Sequence, residues 1–169
     1  MRRQLSAIAA AAVLVTTLGV AAPAQADDRV CRGTIGKVRV DDNIKVPAGA
    51  TCVLKGTRVE GNVKVNRNAV LRAVAARVDG DIQAAGFQRV AVVDGRVEGN
   101  IQLENGARIN LRRNVVDGDI QLFSNGRAGR KYVIRNVVDG NLQCKANKPR
   151  PTGSGNRVAG NKEGQCRGL

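Results

Sequence analysis

Histidine and tryptophan are absent from this 169-residue chain, and its only aromatic residues are Phe87, Phe123 and Tyr132. Without histidine the chain lacks the usual general base and the commonest nitrogen ligand for zinc. A thiol or hydroxyl nucleophile would find no imidazole to activate it. So few aromatics leave no series of platforms for stacking nucleobases, which argues against nucleic acid as a partner. They also deprive the interior of the large rings around which most domains of this size pack, so the core must be built from Val, Ile, Leu and Ala. No stretch of the exported sequence sustains apolar residues at i, i+3 and i+4, so no helix is expected there. These absences set the first expectations: no enzyme, no metal and no cofactor.

The one long apolar run, Ala7 to Ala22, follows Arg2 and Arg3 and precedes Ala24-Gln25-Ala26. A basic start, a short apolar stretch and a small-x-small site are the marks of a secretory signal peptide, here residues 1–26. Removing 26 of the 169 residues leaves 143, enough for one domain over 27–169. Setting aside Arg2 and Arg3 lowers the formal charge from +14 to +12. The expected location is secreted or extracytoplasmic, in the cell envelope.

What the chain has in abundance is one short phrase. It reads VDDNIKV from Val40, VEGNVKV from Val59, VDGDIQA from Val78, VEGNIQL from Val97, VDGDIQL from Val116 and VDGNLQC from Val138, and decays to VAGNKEGQC from Val158. The leading valines are separated by 19, 19, 19, 19, 22 and 20 residues. A repeat of this length is the mark of a solenoid whose units stack on one another. Within each phrase apolar and polar residues alternate, as in a strand with one buried face. Val97, Ile101 and Leu103 should point inward; Glu98, Asn100 and Gln102 should face solvent. The recurring glycine (Gly99 and its equivalents) marks a corner, replaced in the first coil by Asp42 as a residue tolerant of unusual backbone angles. A second strand precedes each phrase, with Cys52 and Leu54, Leu71 and Ala73, Val90 and Val92, and Ile109 and Leu111 inward. Tyr132 and Ile134 would fill that role after a one-residue shift. The expected fold is all-β, a single-domain parallel β-helix (β-solenoid) of about seven coils. Its repeat core spans about 40–144 and a capping segment spans 145–169. Seven coils make a rod roughly 30–35 Å long, and parallel crossovers favour the right hand.

Stacking places equivalent residues in rows. One row runs Asn43, Asn62, Asp81, Asn100, Asp119, Asn141, Asn161, and its neighbour runs Lys45, Lys64, Gln83, Gln102, Gln121, Gln143. Amide ladders of this kind stabilise in-register parallel strands. An acidic row (Asp41, Glu60, Asp79, Glu98, Asp117, Asp139) lies beside Arg39, Arg58, Arg77 and Arg96, so that rows of opposite sign offset each other's repulsion.

Four cysteines in an exported chain suggest two disulfides. Cys31 and Cys52 are 21 residues apart and Cys144 and Cys166 are 22, each close to one coil. Vertical neighbours on adjacent coils come within bridging distance, and any other pairing would span several coils. The pairs Cys31–Cys52 and Cys144–Cys166 are therefore expected, one clamping each end. Closing such a loop contributes roughly 3 kcal/mol in the chain-entropy picture.

The period breaks at Phe123–Tyr132, where the coil gains three residues, and at Lys145–Asn156, which is basic and rich in Pro and Gly. Breaks are where solenoids carry binding function. Arg127, Arg130 and Lys131 are accordingly candidate anion-binding residues on exposed turns, for an anionic cell-wall polymer or a membrane surface.

The phrases GRVEGNIQL (Gly95 to Leu103) and RVDGDIQA (Arg77 to Ala84) resemble the repeats of bactofilins, bacterial polymer-forming right-handed β-helices. The resemblance covers about Ile44 to Cys144 and implies the fold and end-to-end self-assembly. Bactofilins are cytoplasmic, whereas this chain carries an export signal and four cysteines, and its tail would cover the end face that assembly needs. The functional expectation is an exported, non-catalytic structural or interaction module. The alternative is a carbohydrate-active β-helix protein that binds or cleaves an acidic polysaccharide.

Overall fold

In a computed structural model, residues 28–169 form three parallel sheets wound into a solenoid of seven coils. The signal segment expected over 1–26 lies outside the described residues. The first sheet stacks eight strands: Asp28–Val30, Asn43–Val46, Val63–Val65, Ile82–Ala85, Ile101–Glu104, Ile120–Phe123, Leu142–Lys145 and Lys162–Gly164. The second stacks six: Gly33–Ile35, Thr51–Lys55, Val70–Val74, Arg89–Val93, Arg108–Arg112 and Lys131–Ile134. The third stacks seven two-residue strands, from Arg39–Val40 to Arg157–Val158. Strands therefore extend at both ends beyond the 40–144 repeat core.

Alternation fixes the register. Ile82, Ile101 and Ile120 pair directly across the first sheet, as do Leu71, Val90 and Ile109 across the second. Val97, Ile101 and Leu103 are all fully buried. A one-residue slip would turn every one of them outward, which is why the pairing is unique. The lone large ring in the interior is Phe87, buried over Gly106, where a Cβ would strike the ring.

Three sequence expectations change in the structure. The Asn43–Asn161 row is not simply solvent-facing: Asn43 is buried, the row from Asn62 to Asn141 is half-buried and only its top, Asn161, is exposed, and its side-chain oxygens accept backbone N–H groups from the coil above. Asn43 Oδ1 takes the N–H of Asn62 at 2.8 Å, and Asn62 Oδ1 takes that of Asp81 at 2.8 Å. That contact also explains the corner glycines. A Cβ on Gly61 would lie 2.6 Å from Asn43 Oδ1, and Gly61 is not in the left-handed region. Close approach, not backbone freedom, excludes a side chain there. Asp42 likewise has no positive φ, so its tolerance of unusual angles is not the reason it stands in the first coil.

The one-residue shift expected at Tyr132 and Ile134 does not occur. Ile109 pairs with Lys131 and Leu111 with Val133, so Lys131 and Val133 turn inward while Tyr132 and Ile134 face out. The three extra residues are absorbed wholly in the loop before the strand.

Two further polar ladders line the corners inside. Asn114, Asn136 and Asn156 are buried in one; Asn136 Nδ2 donates to Leu111 O at 3.1 Å and to Asn156 Oδ1 at 2.9 Å. Asn125 and Asn147 form the other, closed above by Gln165, whose Oε1 accepts the N–H of Asn147 at 2.8 Å. Each amide satisfies backbone groups that a tight corner would leave unpaired.

Cys31 and Cys52 stand at disulfide distance with Cα atoms 5.5 Å apart, as do Cys144 and Cys166 at 5.3 Å, in the expected pairing. All four are buried at the two ends of the core. Lys145–Asn156 is not a free turn. Thr152 bridges to Tyr132, and Val133 N donates to Thr152 O at 3.0 Å, so the segment covers the last edge of the second sheet. Pro149 and Pro151 on that edge remove donors that another strand would need.

Candidate functional site

The three outer faces differ in charge because each sheet repeats a different outward residue. On the third face Arg39, Arg58, Arg77 and Arg96 are committed to carboxylates of their own coil or the next; Arg157, in the last strand, forms no ion pair among the described residues. Arg39 bonds Asp41 at 2.8 Å and reaches Glu60. Arg58 reaches Asp79 at 3.0 Å, Arg77 bonds Asp79 at 3.3 Å and Glu98, and Arg96 reaches Asp117 at 2.7 Å. The zipper offsets its own charge, as the sequence implied, and contributes little per exposed pair. The first face is an amide ladder, with Gln121 Nε2 donating to Gln143 Oε1 at 3.2 Å.

The second sheet is different. Its outward positions form three columns. One runs Thr51, Val70, Arg89 and Arg108, with Arg130 beside its end in the loop before the last strand; the middle one runs Thr34, Val53, Arg72, Ala91, Asn110 and Tyr132; the third runs Lys55, Val74, Val93, Arg112 and Ile134. No Asp or Glu occurs in any strand of this sheet. Among the described residues none of Lys55, Arg72, Arg89, Arg108, Arg112 or Arg130 forms an ion pair. The carboxylate at the bordering corner, Asp94, is held by Arg113 at 2.6 Å. The hydrogen bond from Arg113 pulls the Asp94 carboxyl below its usual range. The face thus presents cations with no counter-charge of its own.

Tyr132 sits at the C-terminal end of that face. Arg130 Nη1 donates to its hydroxyl at 3.0 Å, and the Arg112 guanidinium lies 5.3 Å from the ring centroid. Arg112 Nε is steadied by Asn110 Oδ1 at 2.7 Å. A trough of about 490 Å³ runs here, lined by Arg89, Arg108, Ile109, Gly129, Arg130 and Tyr132. Its wall is the loop inserted between Phe123 and Tyr132.

The three residues expected to bind anions separate. Arg130 joins the face. Arg127 stays exposed at the neighbouring corner, where Nη1 donates to Gly86 O at 2.8 Å. Lys131 does not belong to an exposed anion site: it is 1% exposed. Its Nζ donates inward to the carbonyls of Gly129 at 3.1 Å and Lys148 at 2.9 Å, with Arg127 O at 3.4 Å. Burial lowers its pKa below the usual lysine range. Its work is to tie the inserted loop to the C-terminal segment.

Sequence reasoning missed Arg72, Arg89, Arg108 and Arg112. The signal was present, since Arg89 and Arg108 are one 19-residue period apart. The inward residues of the second strand carry the apolar repeat, whereas its outward residues vary from coil to coil and form no recurring phrase. Among the described residues no three carboxylates or thiols converge as a metal site would require.

No family model matches the chain, and searches of curated proteins and of solved structures found no match. The likeness to bactofilins therefore rests on the repeat phrases alone.

Proposed function

We propose that this protein is an exported, non-catalytic interaction module that attaches to an anionic component of the cell envelope through the outward face of its second sheet. The observation that carries the reading is the contrast between faces: Arg39, Arg58, Arg77 and Arg96 neutralised by carboxylates on the third sheet, and arginines without any carboxylate on the second. Natural surfaces usually intersperse the two signs, and a single-sign field attracts and steers an oppositely charged partner. The face offers guanidinium groups, an amide and a phenol that can hold an anion, and no carboxylate to serve as general acid or base on it. Two disulfide-distance cysteine pairs suit an oxidising compartment outside the cytoplasm. An exported relative of the bactofilin fold is the lineage this reading favours. The covered end of the second sheet argues against long end-to-end polymers.

Sedimentation with isolated cell envelope at low and high salt tests it. Binding should weaken steeply as salt rises, because exposed charges are screened over about 8–10 Å near physiological ionic strength. Replacing Arg89, Arg108 and Arg130 together by Gln should abolish most of the binding. Replacing Arg58, Arg77 and Arg96 should leave it nearly intact. Binding that ignores both salt and the first triple substitution would refute the proposal.

A further inference from the structure

The geometry points to a partner class for this face: a linear acidic polysaccharide, one carboxylate per sugar unit, lying along the stack of coils. The inference rests on the cationic-face reading above and adds the identity of the anion.

Size comes first. Six strands spaced about 4.8 Å apart and at most five residues long, at about 3.3 Å per residue, make a face of at most about 24 by 16 Å, on the order of 400 Å². A stable protein partner needs about 800 Å² on each side. The face alone is too small for that. A narrow polymer needs only length, and length is what stacking supplies.

Periodicity comes second. Arg89 and Arg108 occupy one column on consecutive coils, their Cα atoms about 4.8 Å apart along the rod, and Arg130, just before the strand whose Lys131 pairs with Ile109, continues the run beside Tyr132. A guanidinium pairs with a carboxylate through two parallel N–H donors, which fixes orientation as well as charge. A polymer bearing one carboxylate per unit meets such a column repeatedly, whereas a single small anion meets it once.

The surface between the arginines decides the chemistry of the backbone. Val53, Val70, Val93 and Ile134 are half-buried beside the cations and Val74 is 39% exposed, so the face is amphipathic. Sugar rings carry C–H faces that pack on aliphatic groups and hydroxyls that hydrogen-bond. Asn110 Nδ2 and the Thr51 hydroxyl are outward groups able to receive them. Inorganic polyphosphate has no apolar face to match. A bilayer is served poorly, because interfacial seating relies on amphipathic aromatic tips. The one aromatic here, Tyr132, is held at its hydroxyl by Arg130 and on its ring by Arg112.

The test uses the full exported chain with four probes: polygalacturonate, its oligomers of increasing length, inorganic polyphosphate, and vesicles of phosphatidylglycerol in phosphatidylcholine. Affinity for galacturonate oligomers should climb with length until the arginine column is spanned, then level off. The Arg89→Gln, Arg108→Gln, Arg130→Gln protein should bind the polymer about tenfold or more weakly, since three exposed ion pairs are lost. Its thermal melt should match the parent's because all three side chains lie outside the core. Val74→Ser should weaken polygalacturonate and leave polyphosphate unaffected. Polyphosphate bound as tightly as polygalacturonate, or vesicles bound in its place, would overturn the polysaccharide assignment and leave the cationic face standing. Failure to bind any of the four would remove both.

Discussion

The side-chain oxygen of Asn100 lies 2.5 Å from the point where a Cβ on Gly118, one coil above, would stand, and it accepts the N–H of Asp119 at 2.8 Å. The two residues specify each other. The amide reaches the backbone only because the glycine leaves room, and the glycine corner keeps its next N–H satisfied only because the amide is there. Gly118→Ala must therefore displace the amide or the backbone beneath it, where Gly99 O lies 2.8 Å from the same point. We expect a loss of about 1–3 kcal/mol in denaturant unfolding, the usual cost of overpacking. Gly36→Ala is the comparison, since nothing lies within 4 Å of its added Cβ. Equal losses at the two sites would mean that generic glycine effects, and not this contact, govern the corner.

Lys131→Ala should cost roughly 2–5 kcal/mol, because it removes a buried aliphatic stem and the donor shared by the loop and tail carbonyls. Its pH dependence has a definite sign. Burial lowers the folded-state pKa, so the folded chain releases this proton before the unfolded chain does. Between the folded pKa and the unfolded value near 10.4, the unfolded state binds more protons and stability rises with pH. Below that window the cost of burying the charge is fully present. Urea titrations over the alkaline range should show the parent's margin over Lys131→Ala widening toward about pH 10. A margin that stays flat or narrows would contradict the buried assignment.

Asn136→Ala should cost roughly 2–4 kcal/mol, since it leaves the Leu111 carbonyl and the Asn114 N–H without their partners inside the solenoid. Asn66→Ala, at an exposed position in a turn, should change stability by no more than about 0.5 kcal/mol. Thermal melts of the two variants side by side would decide it; a mild Asn136→Ala would mean that water reaches that corner.

The solenoid was legible because its two periods are independent and agree. The 19-residue step places Ile82 over Val63 and Ile101 over Ile82, and the two-residue alternation sends all three inward. Cysteine separations near one coil did the same for the disulfide pairs. Charge alone conceals the place of Lys131. A lysine beside two arginines reads as a solvated cluster, yet the strand's parity turns it toward the core. It is tolerated there because carbonyls from two segments, 127–129 and 148, converge on its ammonium group.

The sequence by itself determined the architecture, because a repeat that buries one face can satisfy its backbone only by stacking on its own copy. It determined the neutralised third face as well, since Arg39, Asp41 and their equivalents recur within the phrase. The tertiary structure decided everything that depends on which residues share a column across different coils. It separated Arg127, Arg130 and Lys131, which are near neighbours in the chain. It gathered Arg72, Arg89, Arg108 and Arg112 on one acid-free sheet, with Arg130 beside its last strand. The physical reason is geometric. Neighbours along a strand point to opposite sides, while residues about 20 apart lie about 4.8 Å apart on the same side. In this fold the chemistry of a surface is written along the stack, not along the chain.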